Sequence, residues 1–220
     1  MKDIARFYEL LFETFGDLNW WPAETVFEVM VGAILTQNTN WNNVEKAIKN
    51  LGEAGLLEPE AMFRADLAEI ARHIKPSGYF NQKAIKLKRL VGWLESSVGG
   101  DLDKLKDRPT ESLRKELLSI KGIGAETADD ILLYALERPV FVIDAYTYRI
   151  AVRHGWVPPE TTYDELASLF IDNLPEDVGL FKNYHAAIVE IGKTYCKKRN
   201  PLCENCPGKK LLENGRPYEV

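Results

Sequence analysis

The chain has 220 residues, with 28 Lys and Arg against 33 Asp and Glu and a formal net charge of −5. Apolar residues make up 45% and charged residues 28%, which excludes a disordered chain, a collagen-like one and a strongly basic whole domain, the simplest nucleic-acid signature. No apolar run approaches the ~18 residues of a membrane helix, and the first residues, Met1 to Arg6, lack the apolar stretch and cleavage site of a signal peptide, so the expected setting is cytoplasmic.

Helical periodicity then dominates from the N-terminus onward. Ile4, Phe7, Tyr8, Leu11 and Phe15 share one helical face. A second helix carries Val26, Phe27, Met30, Val31, Ile34 and Leu35, and a third Val44, Ala47, Ile48 and Leu51. Leu67, Ile70 and Ala71 mark another, stopped before Pro76. A long amphipathic helix starts near Gln82, carries Ala84, Ile85, Leu87, Leu90, Val91 and Leu94, and ends at Gly99-Gly100. Thr110, followed by Glu111, is the expected N-cap of a short helix holding Leu113, Leu117 and Leu118. Ala125 to Leu136 reads as helix. Asp144 suits the N-cap of a helix over Ala145 to Arg153, and Tyr163 to Leu174 and Lys182 to Tyr195 close the series. The one β-prone run, Val140 to Ile143, is short and has no partner. The expected class is all-α, as two lobes sharing one cleft.

Two stretches carry chemistry. In Leu118-Ser-Ile-Lys-Gly122-Ile-Gly124-Ala-Glu-Thr127-Ala128, a short helix feeds a tight Gly-x-Gly turn that opens into a second helix. Such a turn aims backbone N–H groups and the positive helix end at a phosphate, without reading base sequence. An ordinary helix connection looks the same when the motif stands alone. The second stretch is Pro139-Val-Phe-Val-Ile-Asp144-Ala-Tyr-Thr-Tyr-Arg149, an apolar run delivering a carboxylate to a helix start. The only cysteines, Cys196, Cys203 and Cys206, cluster near the C-terminus, which reads as a metal site, intact or decayed, rather than a disulfide framework.

Hairpin, helix, apolar run and Asp in this order resemble the helix-hairpin-helix (HhH-GPD) DNA glycosylases of the endonuclease III superfamily. The resemblance extends to Leu35-Thr-Gln37-Asn-Thr-Asn-Trp41, to Gly78-Tyr79-Phe80-Asn81-Gln82-Lys83-Ala84, and to Asn183-Tyr-His185-Ala with Gly192 and Cys196. It implies a two-lobed fold with the active site in the interlobe cleft. One lobe spans 22–136, with the helix-hairpin-helix at about 113–136. The other combines 1–21 with 137–220, including the Asp144 helix and a cysteine loop over 196–212. It implies that Gly122, Gly124 and Thr127 meet DNA and that Asp144 is the catalytic carboxylate, stabilising positive charge on the sugar and orienting or deprotonating water. Gln37 and Tyr79 match positions that fill the hole a flipped base leaves, although a buried Tyr79 is an equal reading.

Bifunctional members place a lysine two residues after the hairpin's second glycine, for Schiff-base and lyase chemistry. Here that position is Glu126, so the expectation is a monofunctional glycosylase in base excision repair. Asn19-Trp20-Trp21-Pro22 with Trp41 resembles the 3-methyladenine DNA glycosylases of the superfamily. With Glu126, these residues are the expected base pocket, since aromatic faces stack on flipped bases and favour cationic rings; core packing is the alternative for any tryptophan. The substrate expected is duplex DNA bearing an alkylated purine. Competing readings are a glycosylase/AP lyase, a mismatch enzyme, or a non-catalytic DNA-binding module.

The superfamily's cluster loop carries four cysteines, spaced C-x6-C-x2-C-x5-C. Cys196, Cys203 and Cys206 keep the first two gaps, but the fourth position is Leu212. A [4Fe-4S] cluster is conventionally held by four thiolates, so the balance is against a stable cluster, and no cofactor is needed for the chemistry. Lys193, Lys197, Lys198, Arg199, Lys209 and Lys210 surround the cysteines, with Glu204 the only acid among residues 193–210, and this loop could contact the DNA backbone without a metal. Lys75, Lys83, Lys86, Lys88 and Arg89 form a second basic group, which could meet phosphates or be a solvated face. A monomer in the cytoplasm, nucleoid-associated in a bacterium or archaeon, is expected.

Overall fold

In the computed structural model, which describes residues 3–212 and 215–218, the periodic segments fold as α-helices, and no strand is present among the described residues. The chain divides into two units, Met1–Trp20 with Pro139–Val220, and Trp21–Arg138.

The continuous unit is built around α2 (Val26–Leu35), which is apolar on nearly every side and buried from Val29 to Leu35. Thr25 caps it, accepting from Glu28 N at 3.1 Å. α3 (Trp41–Glu53) follows, with Asn40 as its N-cap. α4 (Pro59–Arg64) is too short for periodicity to reveal; Pro59 opens it, where a missing N–H costs nothing. After α5 (Leu67–His73) comes α6 (Phe80–Val98), which packs on α2, α4 and α5 and ends on the left-handed Gly99. α7 (Thr110–Ser119) starts at Thr110, so this residue is not the N-cap: Pro109 stands there and offers no side-chain acceptor. α8 (Ala125–Asp130) runs on as a π turn over Ile131–Ala135, which packs against α2.

The discontinuous unit holds α1 (Ile4–Phe15), α9 (Ala145–Arg153), α10 (Tyr163–Ile171) and α11 (Val178–Thr194). α11 begins earlier than its periodicity suggests, because Asp177 accepts from Leu180 N at 2.8 Å and caps it. Val140 to Ile143 is extended but pairs with nothing as a strand. Its apolar side chains fill the core instead. Phe141 stacks on Phe170 with centroids 4.2 Å apart and meets Phe181 and Tyr184 edge-on. The buried Tyr184 hydroxyl donates to Ile4 O at 2.8 Å, fastening α1 to α11. Short 3-10 turns over Cys203–Asn205 and Pro207–Leu211 come after α11.

Candidate nucleic-acid interface and active site

The Gly-x-Gly turn joins α7 to α8. Gly122 has φ +105, and a Cβ there would stand 2.9 Å from Cγ of Lys86, so both backbone and neighbour require glycine. Gly124 is different. It is the N-cap of α8 in extended backbone, and a Cβ on it would meet nothing within 4 Å. Its openness leaves room for a group from outside the chain. Glu126, two residues on, lies exposed in the first turn of α8.

Thr127 is buried rather than outward-facing: its Oγ1 accepts from Gln37 Nε2 at 2.9 Å. The Gln37 carbonyl oxygen in turn accepts from Lys86 Nζ. Gln37 is therefore half-buried and anchored at both ends of its amide. Tyr79 is 72% exposed, in left-handed backbone at φ 44, directly after Gly78 at φ 69. Such a conformation is costly for a bulky residue and marks a turn held by its surroundings.

The cations of α6 do not form a solvated strip. Lys83 is buried, and its Nζ donates to Leu35 O at 2.9 Å and Ser77 O at 2.6 Å. Burial, then the neighbouring Lys86, pushes its ammonium down to about 8. Lys88 Nζ donates to Phe63 O and to Ala65 O at 3.0 Å, closing the C-terminus of α4. Arg89 Nη1 donates to Lys121 O in the Gly-x-Gly turn at 2.8 Å. Four of the five cations thus serve turns and a helix end of their own unit; Lys75 stands 6.0 Å from the Phe80 ring.

The adjacent tryptophans part company. Trp21, at φ 77, lies against Gly32, edge-on to Trp41 with centroids 5.5 Å apart, and tilted on Tyr134 at 5.0 Å. Tyr134 had no sequence signal beyond an apolar helix position. A cavity of about 560 Å3 opens beside this group, lined by Trp21, Thr25, Val29, Leu102, Tyr134 and Arg138 among others. Pro22 is exposed. Trp20 belongs to the other unit, where Lys193 Nζ stands 5.0 Å from its ring centroid.

Asp144 is the N-cap of α9. Its Oδ1 accepts from Thr147 N at 2.7 Å and Thr147 Oγ1 at 2.8 Å. Its Oδ2 stands 3.9 Å from Nε2 of the buried His185 on α11. Burial lowers the His185 pKa, against the raising pull of Asp144. A neighbour of His185 on α11 also braces the unit: Asn183 Oδ1 accepts from Leu18 N at 2.9 Å, and its Nδ2 donates to Gly16 O at 3.2 Å.

The cysteine loop hangs on two arginines of α9. Arg149 Nε donates to Cys196 O at 2.7 Å. Buried Arg153 donates to Lys197 O at 2.7 Å and Lys198 O at 3.2 Å, and approaches Cys196 Sγ at 3.2 Å. Burial pushes the Cys206 thiol up to about 11 and raises that of Cys203. The three cysteines and Leu212 line one cavity of about 20 Å3, room for about one water. No three His, Cys, Asp or Glu side chains among the described residues stand together as a metal site. With a leucine lining the wall where the superfamily has its fourth thiolate, these residues do not fit a four-cysteine iron–sulfur cluster.

Residues 31–176 match the family model described as HhH-GPD superfamily base excision DNA repair protein. The sequence is 48% identical over 209 residues to a candidate DNA repair glycosylase of Methanocaldococcus jannaschii, covering 94% of each chain. It is 35% identical to an endonuclease III of Thermotoga maritima, over 82% of this chain and 79% of that one. Among solved structures, the H. pylori 3-methyladenine DNA glycosylase bound to 1,N6-ethenoadenine superposes with a TM-score of 0.74 and 30% identity, covering 88% of this chain and 98% of the other. No helix of the described residues is long and apolar enough to cross a membrane.

Proposed function

Since the chain belongs to the HhH-GPD superfamily of base excision DNA repair proteins and is a DNA glycosylase, we propose that it hydrolyses the N-glycosyl bond of alkylated purines, of the 3-methyladenine class, without lyase chemistry. The observation that carries the reading is Glu126 in the first turn of α8, where a lyase needs an amine; a carboxylate cannot form an imine. The substrate class is supported by the Trp21, Trp41 and Tyr134 group and by the likeness to the H. pylori enzyme.

Alkylation at N3 or N7 leaves a purine positively charged and ready to depart, so stacking matters more than acid catalysis. As the bond from C1′ to the base nitrogen breaks, its electron pair neutralises the base and positive charge builds on the sugar. Oδ2 of Asp144, the oxygen that does not accept from Thr147, stabilises that charge. Water adds its oxygen to C1′ and gives its proton to the Asp144 carboxylate. No electron changes hands with a cofactor in this step. The acting species is a single chain on duplex DNA carrying the damaged base.

The likeness to endonuclease III favours a second reading, a glycosylase with lyase activity. Duplexes carrying 3-methyladenine, uracil, thymine glycol or an A·8-oxoguanine pair separate the two. Release of 3-methyladenine, strand nicking only after alkali, and no borohydride-trapped adduct are expected. Nicking without alkali, with an adduct lost on changing Lys121, the lysine directly before the Gly-x-Gly turn, would overturn the monofunctional reading.

A further inference from the structure

Lys83 is an unusual residue to bury. Its side chain is 2% exposed, and among the described residues it makes no salt bridge with a carboxylate. A lone ammonium in a protein interior is costly unless its hydrogen bonds are supplied. Lys83 has two, both to backbone carbonyls at the ends of different elements. Leu35 is the last residue of α2, and Ser77 closes the short 3-10 turn over Lys75–Ser77. Carbonyls at a helix end lack partners within the helix and attract a cation.

The residues just beyond each carbonyl give the arrangement its meaning. Two residues past Leu35 is Gln37, and two residues past Ser77 is Tyr79. The first-turn bond of α6 runs from Lys83 N–H to Tyr79 O at 3.0 Å. The helix itself thus holds Tyr79, and the Lys83 side chain holds Ser77 on the other side of Gly78. One turn further along α6, Lys86 Nζ donates to Gln37 Oε1. Tyr79 itself is 72% exposed and left-handed.

We propose that Lys83 is a positioning residue for damage recognition: it sets the spacing between the Gln37 turn and the Tyr79 turn, so that both side chains enter the gap left by an extruded base together. The proposal rests on the reading of Gln37 and Tyr79 as gap-filling residues, and deepens it by naming what holds them. Lys83 touches neither DNA nor the reacting atoms.

The test uses the full chain and a tetrahydrofuran site as a stable mimic of the emptied stack. The readout is the ratio of affinities for the tetrahydrofuran duplex and an intact duplex, with amide hydrogen exchange measured alongside. Lys83→Met is expected to lower that ratio about tenfold, the scale of a lost charged hydrogen bond, with intact-duplex affinity unchanged. Lys83→Arg, which keeps charge and donors, is expected to restore most of the ratio. Exchange should quicken at residues 36–40 and 77–79 and stay unchanged in α9. Combined with Tyr79→Ala, Lys83→Met should add little to the loss from Tyr79→Ala alone.

Should Lys83→Met fold poorly, Lys83→Gln carries the same comparison. A ratio that survives both neutral variants, while Tyr79→Ala or Gln37→Ala lowers it, overturns the role of Lys83 alone. So does an additive double variant. If Tyr79→Ala and Gln37→Ala leave the ratio intact, the gap-filling reading fails and the proposal fails with it.

Discussion

The two oxygens of Asp144 keep different company. Oδ1 takes both hydrogen bonds from Thr147, and Oδ2 stands 3.9 Å from His185 Nε2. The N-cap role thus falls on one oxygen, which leaves the other for the catalytic role proposed above. Asparagine caps a helix as well as aspartate does, so Asp144→Asn should keep α9 intact while removing the charge. Single-turnover excision is expected to fall at least about a hundredfold, with tetrahydrofuran-duplex affinity within about threefold of the parent. Asp144→Ala should cost in addition about 1 kcal/mol of stability, readable as a lower denaturant midpoint. The N-cap place of Asp144 was legible because residue type and helix start agree. His185 entered the resemblance only within Asn183-Tyr-His185-Ala, with no role attached, because a histidine on the buried face of a helix does not announce its partner. It gains meaning only because α11 packs on α9. The left-handed backbone at Trp21 and Tyr79 was equally invisible, since bulky residues give no local hint of positive φ.

At the scale of elements, α6 is the organiser of the continuous unit. Lys83, Lys86 and Arg89 stand three residues apart along one side, and they reach in turn the Leu35 and Ser77 carbonyls, Gln37 and the Gly-x-Gly turn. Lys88, beside that series, closes α4. Periodicity located this helix well because its apolar stripe is long. It could not reveal the destination of its cations, which depends on which turns approach from distant sequence. The distinction is measurable. Lys88→Met is expected to cost about 1–2 kcal/mol of stability by leaving helix-end carbonyls unpaired. It should leave the dependence of DNA affinity on salt unchanged, because no phosphate contact is lost. A slope reduced by about one would instead return Lys88 to the DNA surface. α4 itself was missed for a simple reason: six residues are under two turns, too few for a helical period to register.

Across the whole molecule, the acidic sum of −5 says little about partners, since several cations are spent internally. Arg149 and Arg153 hold the cysteine loop, and Lys209 pairs with Glu204. Acid sensitivity has a nearby source in His154, packed against Phe7 and Trp156, whose pKa burial pushes down to about 4 from 6.5. The folded protein then holds His154 neutral while the unfolded chain takes up a proton below 6.5. Its contribution is complete above the unfolded value and is lost as the pH falls towards the folded one, of order 3 kcal/mol over that window. Thermal unfolding of His154→Phe against the parent should show a shallower loss of Tm between those pH values. An unchanged slope would move the acid sensitivity to the carboxylates.

The division of the chain into one continuous and one discontinuous unit also orders events at the ribosome. Residues 21–138 form the continuous unit around α2 and can collapse as soon as they emerge. α1 is made before the continuous unit, yet its apolar residues Ile4, Phe7 and Leu11 must wait for α11, since Ile4 receives its hydrogen bond from Tyr184. That closure spans most of the chain and is slow on entropic grounds. Until it completes, the apolar face of α1 lacks its partner helix, and aggregation would begin there.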